Sequence, residues 1–301
     1  MRQVLERLVG KLLRPEIDRL RYRLAPGRVL ENPFLSAKRL SPLEGDKGYF
    51  VIPNVTRAPS GDLPVPPRRL RHGYDVDEDY LASGREQVSN MLAILRAAGV
   101  NPDALGRVLE LGCAAARMLR FFPRPPGQSE RWGVDVNAEA INWCQQNLSP
   151  PLLFAATTTF PHLPFEDNYF DMVFAGSVFT HIADLPDAWF LELRRVLRRG
   201  GYAYITIQDR HSIELILTEY KDVTGLKWFI DLLRKFDAET GALSADFECF
   251  SFEGGDWDGF PVPHLFHDVK YLARKWAPIA DLVSVNEEAY GWQTGLLFQK
   301  R

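Results

Sequence analysis

Three cysteines in 301 residues, at positions 113, 144 and 249, are too few and too widely spaced for a disulfide framework or a zinc site. The odd count suits a reducing compartment, so the expected location is the cytoplasm. No uninterrupted apolar run approaches the ~18–20 residues that span a bilayer, and the first residues lack the apolar core of a signal peptide. An excess of positive charge is also missing. The 36 Lys and Arg stand against 39 Asp and Glu, a formal net charge of -3. No global field therefore draws nucleic acid or an anionic membrane to the chain. No Walker lysine follows a glycine-rich turn, which argues against a bound triphosphate.

What is present is an ordinary globular composition, 46% hydrophobic and 25% charged, long enough for one large α/β domain with additions. Residues 1–24 place Val4, Leu5, Leu8, Val9, Leu12 and Leu13 at helical spacing, with Arg2, Arg7, Lys11 and Arg14 between them. Such a basic helix packs on its own domain or on a second copy, or lies on a membrane surface. Prolines at 26, 33, 42, 53, 59, 64, 66 and 67 exclude a long element and suggest a wrapping extension over residues 1–67. A helix is expected up to about Gly99. Strands at 107–111, 131–135, 152–155, 170–175 and 201–207 then alternate with helices at 115–122, 138–147 and 185–198. Alternation of this kind builds a mostly parallel sheet with helices on both faces. Gly200 and Gly201, after Arg198 and Arg199, suggest the stop of the last of these helices. Residues 213–262 break the pattern, with helical spacing and then an aromatic stretch, Phe247, Phe250, Phe252, Trp257 and Phe260. They are expected to be an insertion above the sheet edge. The aromatics either line a pocket or form the insertion's own core. Residues 263–301 return to the core with a helix at 267–276 and two antiparallel strands, near 280–285 and 292–299.

The richest run is Val108, Leu109, Glu110, Leu111, Gly112, Cys113, Ala114, Ala115, Ala116 and Arg117. It has the grammar of a strand, a tight turn and a helix start, where free N–H groups favour electron-rich ligand atoms. A second strand, with Gly133 and Val134, ends in Asp135, placed to accept hydrogen bonds from a ribose diol. A pyrophosphate needs glycines where Ala114 and Ala116 stand, because alanine disfavours positive φ. A nicotinamide-dependent oxidoreductase is thereby disfavoured. A cofactor with an adenosine, an amino-acid part and no phosphate fits better, and S-adenosylmethionine has that composition.

Residues 68–212 resemble the class I S-adenosylmethionine-dependent methyltransferases. Glu110 and Gly112 match their first motif and Asp135 their second. The run from Leu163, Pro164 and Phe165 to Asp171 matches their fourth-strand signature, and Ser177 to His181 and Trp189 to Gly201 continue the series. The resemblance implies a Rossmann-like, doubly wound, mostly parallel seven-stranded sheet. It places Glu110, Gly112, Cys113, Ala114, Arg117, Asp135, Val136, Thr157, Thr158, Gly176 and Ser177 around the cofactor. Ala114 and Ala116 depart from the family's glycines. Thr157, Thr158 and Thr159 stand where an Asp or Asn would reach the adenine.

Methyl transfer asks the protein mainly to align a nucleophile, which supplies up to ~7–11 kcal/mol in ideal cases. A base beside a hydroxyl acceptor adds roughly 10²–10⁴-fold. His181, Asp209 and His211 follow the fourth and fifth strands and are the candidates. His264, His267 and Asp268 do not make a metal set, so no metal is expected. Ala175, Gly176 and Ser177 occupy the place of an amino-methylating Asn-Pro-Pro motif, which argues against nucleic acid as acceptor. The expected activity is O-methylation of a small-molecule or saccharide hydroxyl. A cofactor-binding scaffold without turnover is the alternative of another class.

Overall fold

The computed structural model describes residues 62–127, 129–257 and 260–301. The basic helix expected over residues 1–24 and most of the proline-rich segment lie outside the described residues. Among the described residues no helix is long and apolar enough to cross a membrane.

Seven strands form the main sheet in the order β3-β2-β1-β4-β5-β9-β8. Strands β1 (Arg107–Leu111), β2 (Glu130–Asp135), β3 (Leu153–Ala156), β4 (Phe170–Ala175) and β5 (Leu197–Ile207) run parallel. Strand β9 (Gln293–Lys300) pairs antiparallel with both β5 and β8 (Ala280–Tyr290). The central strands are apolar because both faces are covered. Successive residues point to opposite faces. Val108 and Phe174 therefore enter a core with Leu92, Leu95 and Phe122. Leu109 and Val173 enter the other, with Phe190, Trp276 and Phe298.

Helix α1 (Asp77–Ala97) and helix α2 (Ala138–Asn147) cover the first face. Asp77, Glu78 and Asp79 lie in the first turn of α1 and Arg96 in the last, each matched to the helix dipole. Helix α3 (Pro186–Val196) and helix α6 (Val269–Trp276) cover the second face. Asp268 starts α6 by accepting the Tyr271 N–H at 2.5 Å.

Two sequence expectations are corrected. No α-helix occupies 115–122; the chain makes turns and a short 3-10 helix, Leu119–Phe121. Ala114 and Ala116 sit at φ +45 and +60, which a right-handed helix cannot propagate, and Pro123 follows at once. Second, α3 ends at Val196, and Gly200, at φ +72, lies inside β5 instead of stopping a helix. Arg198 pairs with Asp171 of β4, and Lys300 Nζ donates to Leu197 O at 2.7 Å, so this segment is bound into the sheet. The aromatic stretch, for which the sequence suggested no element, is a hairpin, β6 (Cys249–Trp257) and β7 (Phe260–His267).

That hairpin and helices α4 (Arg210–Thr218) and α5 (Lys227–Thr240) form the insertion between β5 and α6. Ile213, Ile216, Phe229, Ile230, Leu233, Phe252 and Phe266 form its separate core, with Phe247 and Phe250 packed against them. These aromatics are therefore the insertion's own core, while the side chains of Trp257 and Phe260 lie outside the described residues. Leu265 N donates to Thr180 O at 2.9 Å and His267 N to Gln208 O at 2.8 Å. The hairpin is thereby fastened to the loop after β4 and to the end of β5.

Gly84 fixes how α1 meets the rest. A Cβ there would lie 2.2 Å from the Arg117 carbonyl oxygen, a backbone atom of the loop after β1. Gly84→Ala should destabilise the protein by about 1–3 kcal/mol, as overpacking does. Urea unfolding measures this, and an unchanged midpoint would show that α1 does not bear on the loop.

Candidate active site

Parallel pairing of Leu111 with Val134 brings Gly112 and Asp135 out side by side at the C-terminal edge of the sheet. Gly112 is at φ +72, and a Cβ on it would sit 2.4 Å from Val178 Cγ2, so only glycine fits. Ala114 and Ala116 keep the left-handed backbone that glycines would adopt, at a cost of about 1–2 kcal/mol each. Four of the N–H groups expected to be free at a helix start are engaged instead. Gly112 N and Cys113 N both donate to Val134 O, at 2.8 and 3.1 Å, and Ala116 N to Cys113 O at 2.7 Å. Ala114 N donates to Asp135 Oδ2 at 2.7 Å. Cys113 turns its side chain into the core, where its Sγ would be 2.7 Å from a Cβ on Gly133.

Asp135 is buried and its Oδ1 also accepts the Asn137 N–H at 2.7 Å. Burial raises its carboxyl above the usual carboxylate range, against the pull of these N–H donors. Each carboxylate oxygen keeps a second lone pair for a diol. Beyond it, Thr157 donates its N–H to Asp135 O at 2.9 Å, and its buried hydroxyl has no partner. An orphaned buried hydroxyl is rare and marks a place for a ligand atom. Thr158 instead closes a local turn, accepting the Phe160 N–H at 3.1 Å. Val136 and Phe160 stand exposed on either side of this stretch in the chain, at 43% and 51%. Carboxylate, hydroxyl and two apolar side chains make a set suited to a ribose and a flat base.

Glu110 is buried, its Oε2 accepts the Leu119 N–H at 3.0 Å, and burial pushes its carboxyl up to about 8. Arg117 donates to Ser83 Oγ at 2.8 Å and to Gln87 Oε1 at 2.5 Å, bonds the Tyr290 hydroxyl, and lies over the Tyr74 ring. Gly176, at the end of β4, leaves room for Tyr290: a Cβ would be 2.9 Å from its Cε2. Ser177, at φ +58, donates its N–H to Thr206 Oγ1 and accepts from Gln293 Nε2 at 2.8 Å. Tyr290 and Gln293 were not identified from sequence. No local motif announces them; only the turn between β8 and β9 returns them to the site.

The three candidate proton acceptors separate. His181 is half-buried after β4, with Nδ1 2.8 Å from Pro263 O of β7. A carbonyl only accepts, so Nδ1 carries the hydrogen and Nε2 the free lone pair. Burial lowers this imidazole below its usual 6.5, which keeps it neutral near pH 7. Asp209 is occupied by the fold. It caps α4 by accepting the Ser212 N–H at 3.0 Å, and its Oδ2 accepts from Thr294 Oγ1 at 2.7 Å. His211 pairs through Nε2 with Glu288 Oε1 at 3.2 Å. Of the three, His181 differs from His211 in having no carboxylate within ion-pair distance among the described residues, and its Nε2 has no hydrogen-bond partner among them. His264 and His267 lie on β7, and no group of three or more His, Cys, Asp or Glu able to hold a metal occurs among the described residues.

A family model described as "Methyltransferase domain" matches residues 109–205, the segment that carries Gly112, Asp135, Thr157 and His181. Over residues 109–205 the chain is therefore similar to methyltransferase domains, in line with the resemblance of its sequence motifs to the class I S-adenosylmethionine-dependent methyltransferases. Among curated relatives of this chain, a fatty-acid O-methyltransferase of Mycolicibacterium smegmatis is 28% identical over 149 residues, 48% of this chain and 54% of the relative. A probable phthiotriol/phenolphthiotriol dimycocerosates methyltransferase 2 of Mycobacterium ulcerans is 34% identical over 103 residues, 34% of this chain and 40% of the relative. The chain thus spans about half, or less, of the length of these relatives. The crystal structure of PH0226 protein from Pyrococcus horikoshii OT3 shares the fold at a TM-score of 0.50 and 14% identity, over 78% of this chain and 99% of that one. The family's cofactor is S-adenosylmethionine. The buried orphan hydroxyl of Thr157, beside the Asp135 carboxylate, fits its adenosine part.

The strained loop after β1 is open to test. Ala114→Gly removes the left-handed penalty of ~1–2 kcal/mol but gives the unfolded chain more freedom, about 0.4–1 kcal/mol. The net expectation is a small stabilisation, read as a higher urea midpoint. Ala116 is fully buried, so Ala116→Gly also loses a packed methyl worth roughly 0.8 kcal/mol and should be close to neutral.

Proposed function

We propose that this methyltransferase transfers a methyl group to the hydroxyl of a small molecule or saccharide, with His181 as the general base. The observation that carries the proposal is the bond between His181 Nδ1 and Pro263 O at 2.8 Å. It leaves Nε2 as a neutral acceptor at the sheet edge where α/β proteins hold their ligands.

When bound, S-adenosylmethionine supplies a methyl group on a sulfonium that departs as a neutral thioether. Asp135 accepts the ribose hydroxyls, Thr157 offers its hydroxyl to the base, and Val136 and Phe160 flank it. Gly112, Ala114, Gly176 and Ser177 set the backbone around the methionine part, and Arg117, held by Ser83, Gln87 and Tyr290, closes it toward α1. His181 Nε2 takes the acceptor's proton as the oxygen lone pair forms the new O–CH₃ bond. The insertion covers the acceptor and excludes water. The names of the two relatives, a fatty-acid O-methyltransferase and a phthiotriol-type lipid methyltransferase, support an acceptor that is a small molecule with an apolar body.

S-adenosylhomocysteine should bind the full chain in calorimetry, and Asp135→Asn should weaken that binding by about 10-fold or more, the loss of a charged hydrogen-bond acceptor. No binding at millimolar ligand by a folded sample would overturn the assignment.

His181→Gln should lower kcat by roughly 10²–10⁴-fold and leave cofactor affinity unchanged. In the parent protein the base works only when neutral, and burial favours the neutral form. The acid limb of the rate profile should therefore lie below pH 6.5, and disappear in the variant. A limb unchanged by the substitution would remove His181 from the proton transfer.

A further inference from the structure

The wall around His181 is made of rings. His264 stands 5.5 Å from His181, centroid to centroid, and Phe229, Phe252 and Trp228 surround it at 4.8, 5.5 and 5.8 Å. Trp228, in the first turn of α5, remains 50% exposed, although the neighbouring Phe229 is buried in the insertion core. Trp228 is thus a half-exposed indole one ring removed from the proposed base, with His264 between them, and its flat face suits stacking of an apolar body.

The imidazoles define what can dock there. His264 Nε2 lies 3.2 Å from Gly254 O and so carries the hydrogen, as His181 Nδ1 does against Pro263 O. His181 Nε2 and His264 Nδ1 therefore hold lone pairs, and neither has a hydrogen-bond partner among the described residues. Burial keeps both rings neutral, His264 down to about 4. Neither histidine has an ion-pair partner among the described residues. The two imidazoles thus present acceptors only, framed by apolar rings.

We propose that this wall selects a neutral hydroxyl carried on an aromatic or other apolar body, stacked on Trp228, and rejects carboxylates and free sugars. The proposal rests on the methyltransferase assignment and narrows its acceptor. A hydroxyl donates into a lone pair. A carboxylate would meet two lone pairs and lose water without compensation. A sugar would leave most of its hydroxyls unpaired against rings, and an unpaired buried polar group is strongly rejected.

The test uses the full chain saturated with S-adenosylhomocysteine, and calorimetry with 1-naphthol, 1-naphthoate and methyl α-D-glucopyranoside. Naphthol should bind, with naphthoate and the glucoside at least ~10-fold weaker, since each 1.4 kcal/mol is tenfold. Trp228→Ala should weaken naphthol by a similar factor and leave S-adenosylhomocysteine affinity unchanged, which separates a lost platform from a damaged fold. Naphthoate or glucoside binding as tightly as naphthol overturns the proposal. So does naphthol binding unaffected by the substitution, or no naphthol binding by a chain that holds S-adenosylhomocysteine. Failure of S-adenosylhomocysteine itself to bind removes the methyltransferase assignment instead, and the two failures are read in separate titrations.

Discussion

The Ala114 N–H that donates to Asp135 Oδ2 at 2.7 Å ties the loop after β1 to the end of β2. Parallel pairing sets the two strand ends beside each other, but it does not fix a loop that cannot coil into a helix. The bond does, and it settles three things at once. It orients the carboxylate, it holds Ala114 at positive φ, and it draws the loop's N–H groups inward. A site that would otherwise offer backbone donors to a phosphate offers a carboxylate and a hydroxyl instead. Its chemistry suits an adenosine without phosphates because the N–H groups of Gly112, Cys113, Ala114 and Ala116 are already engaged.

The same loop explains how far the sequence was legible. Strands β1, β2, β4 and β5 read as apolar runs because both of their faces are buried, and Asp135 stood out as an acid ending one of them. The helix expected over 115–122 read equally well from its composition, and it is absent. Alanine is the best helix former by propensity, yet at 114 and 116 it serves as a substitute for glycine. Propensity could not reveal that, because the demand comes from Asp135, in another strand. The hairpin β6–β7 was hidden for a related reason: its aromatic residues are core for a layer formed only when α5 packs on it.

Within the site, residues close in sequence to a motif were found and residues brought by topology were not. Asp135 and His181 belong to strand ends that follow the apolar runs. Tyr290 and Gln293 come from a hairpin far along the chain, and their partners, Arg117 and Ser177, give no sign of needing them. Asp209 illustrates the converse. Its place after β5 matched a catalytic acid, but a residue that opens a helix is equally well placed to cap it, and Thr294 of β9 takes its second oxygen.

The hairpin's fastening has one more consequence. β7 delivers Pro263 O to His181, sets His264 beside it, and is itself bonded to Thr180 and Gln208 of the core. The element that shapes the acceptor wall is therefore the one that determines which nitrogen of the base bears its hydrogen. Altering the hairpin to admit a different molecule would also disturb the tautomer of His181. In the proposed function, acceptor range and proton transfer are thus coupled through β7, whereas changes in α5 and Trp228 leave that carbonyl untouched.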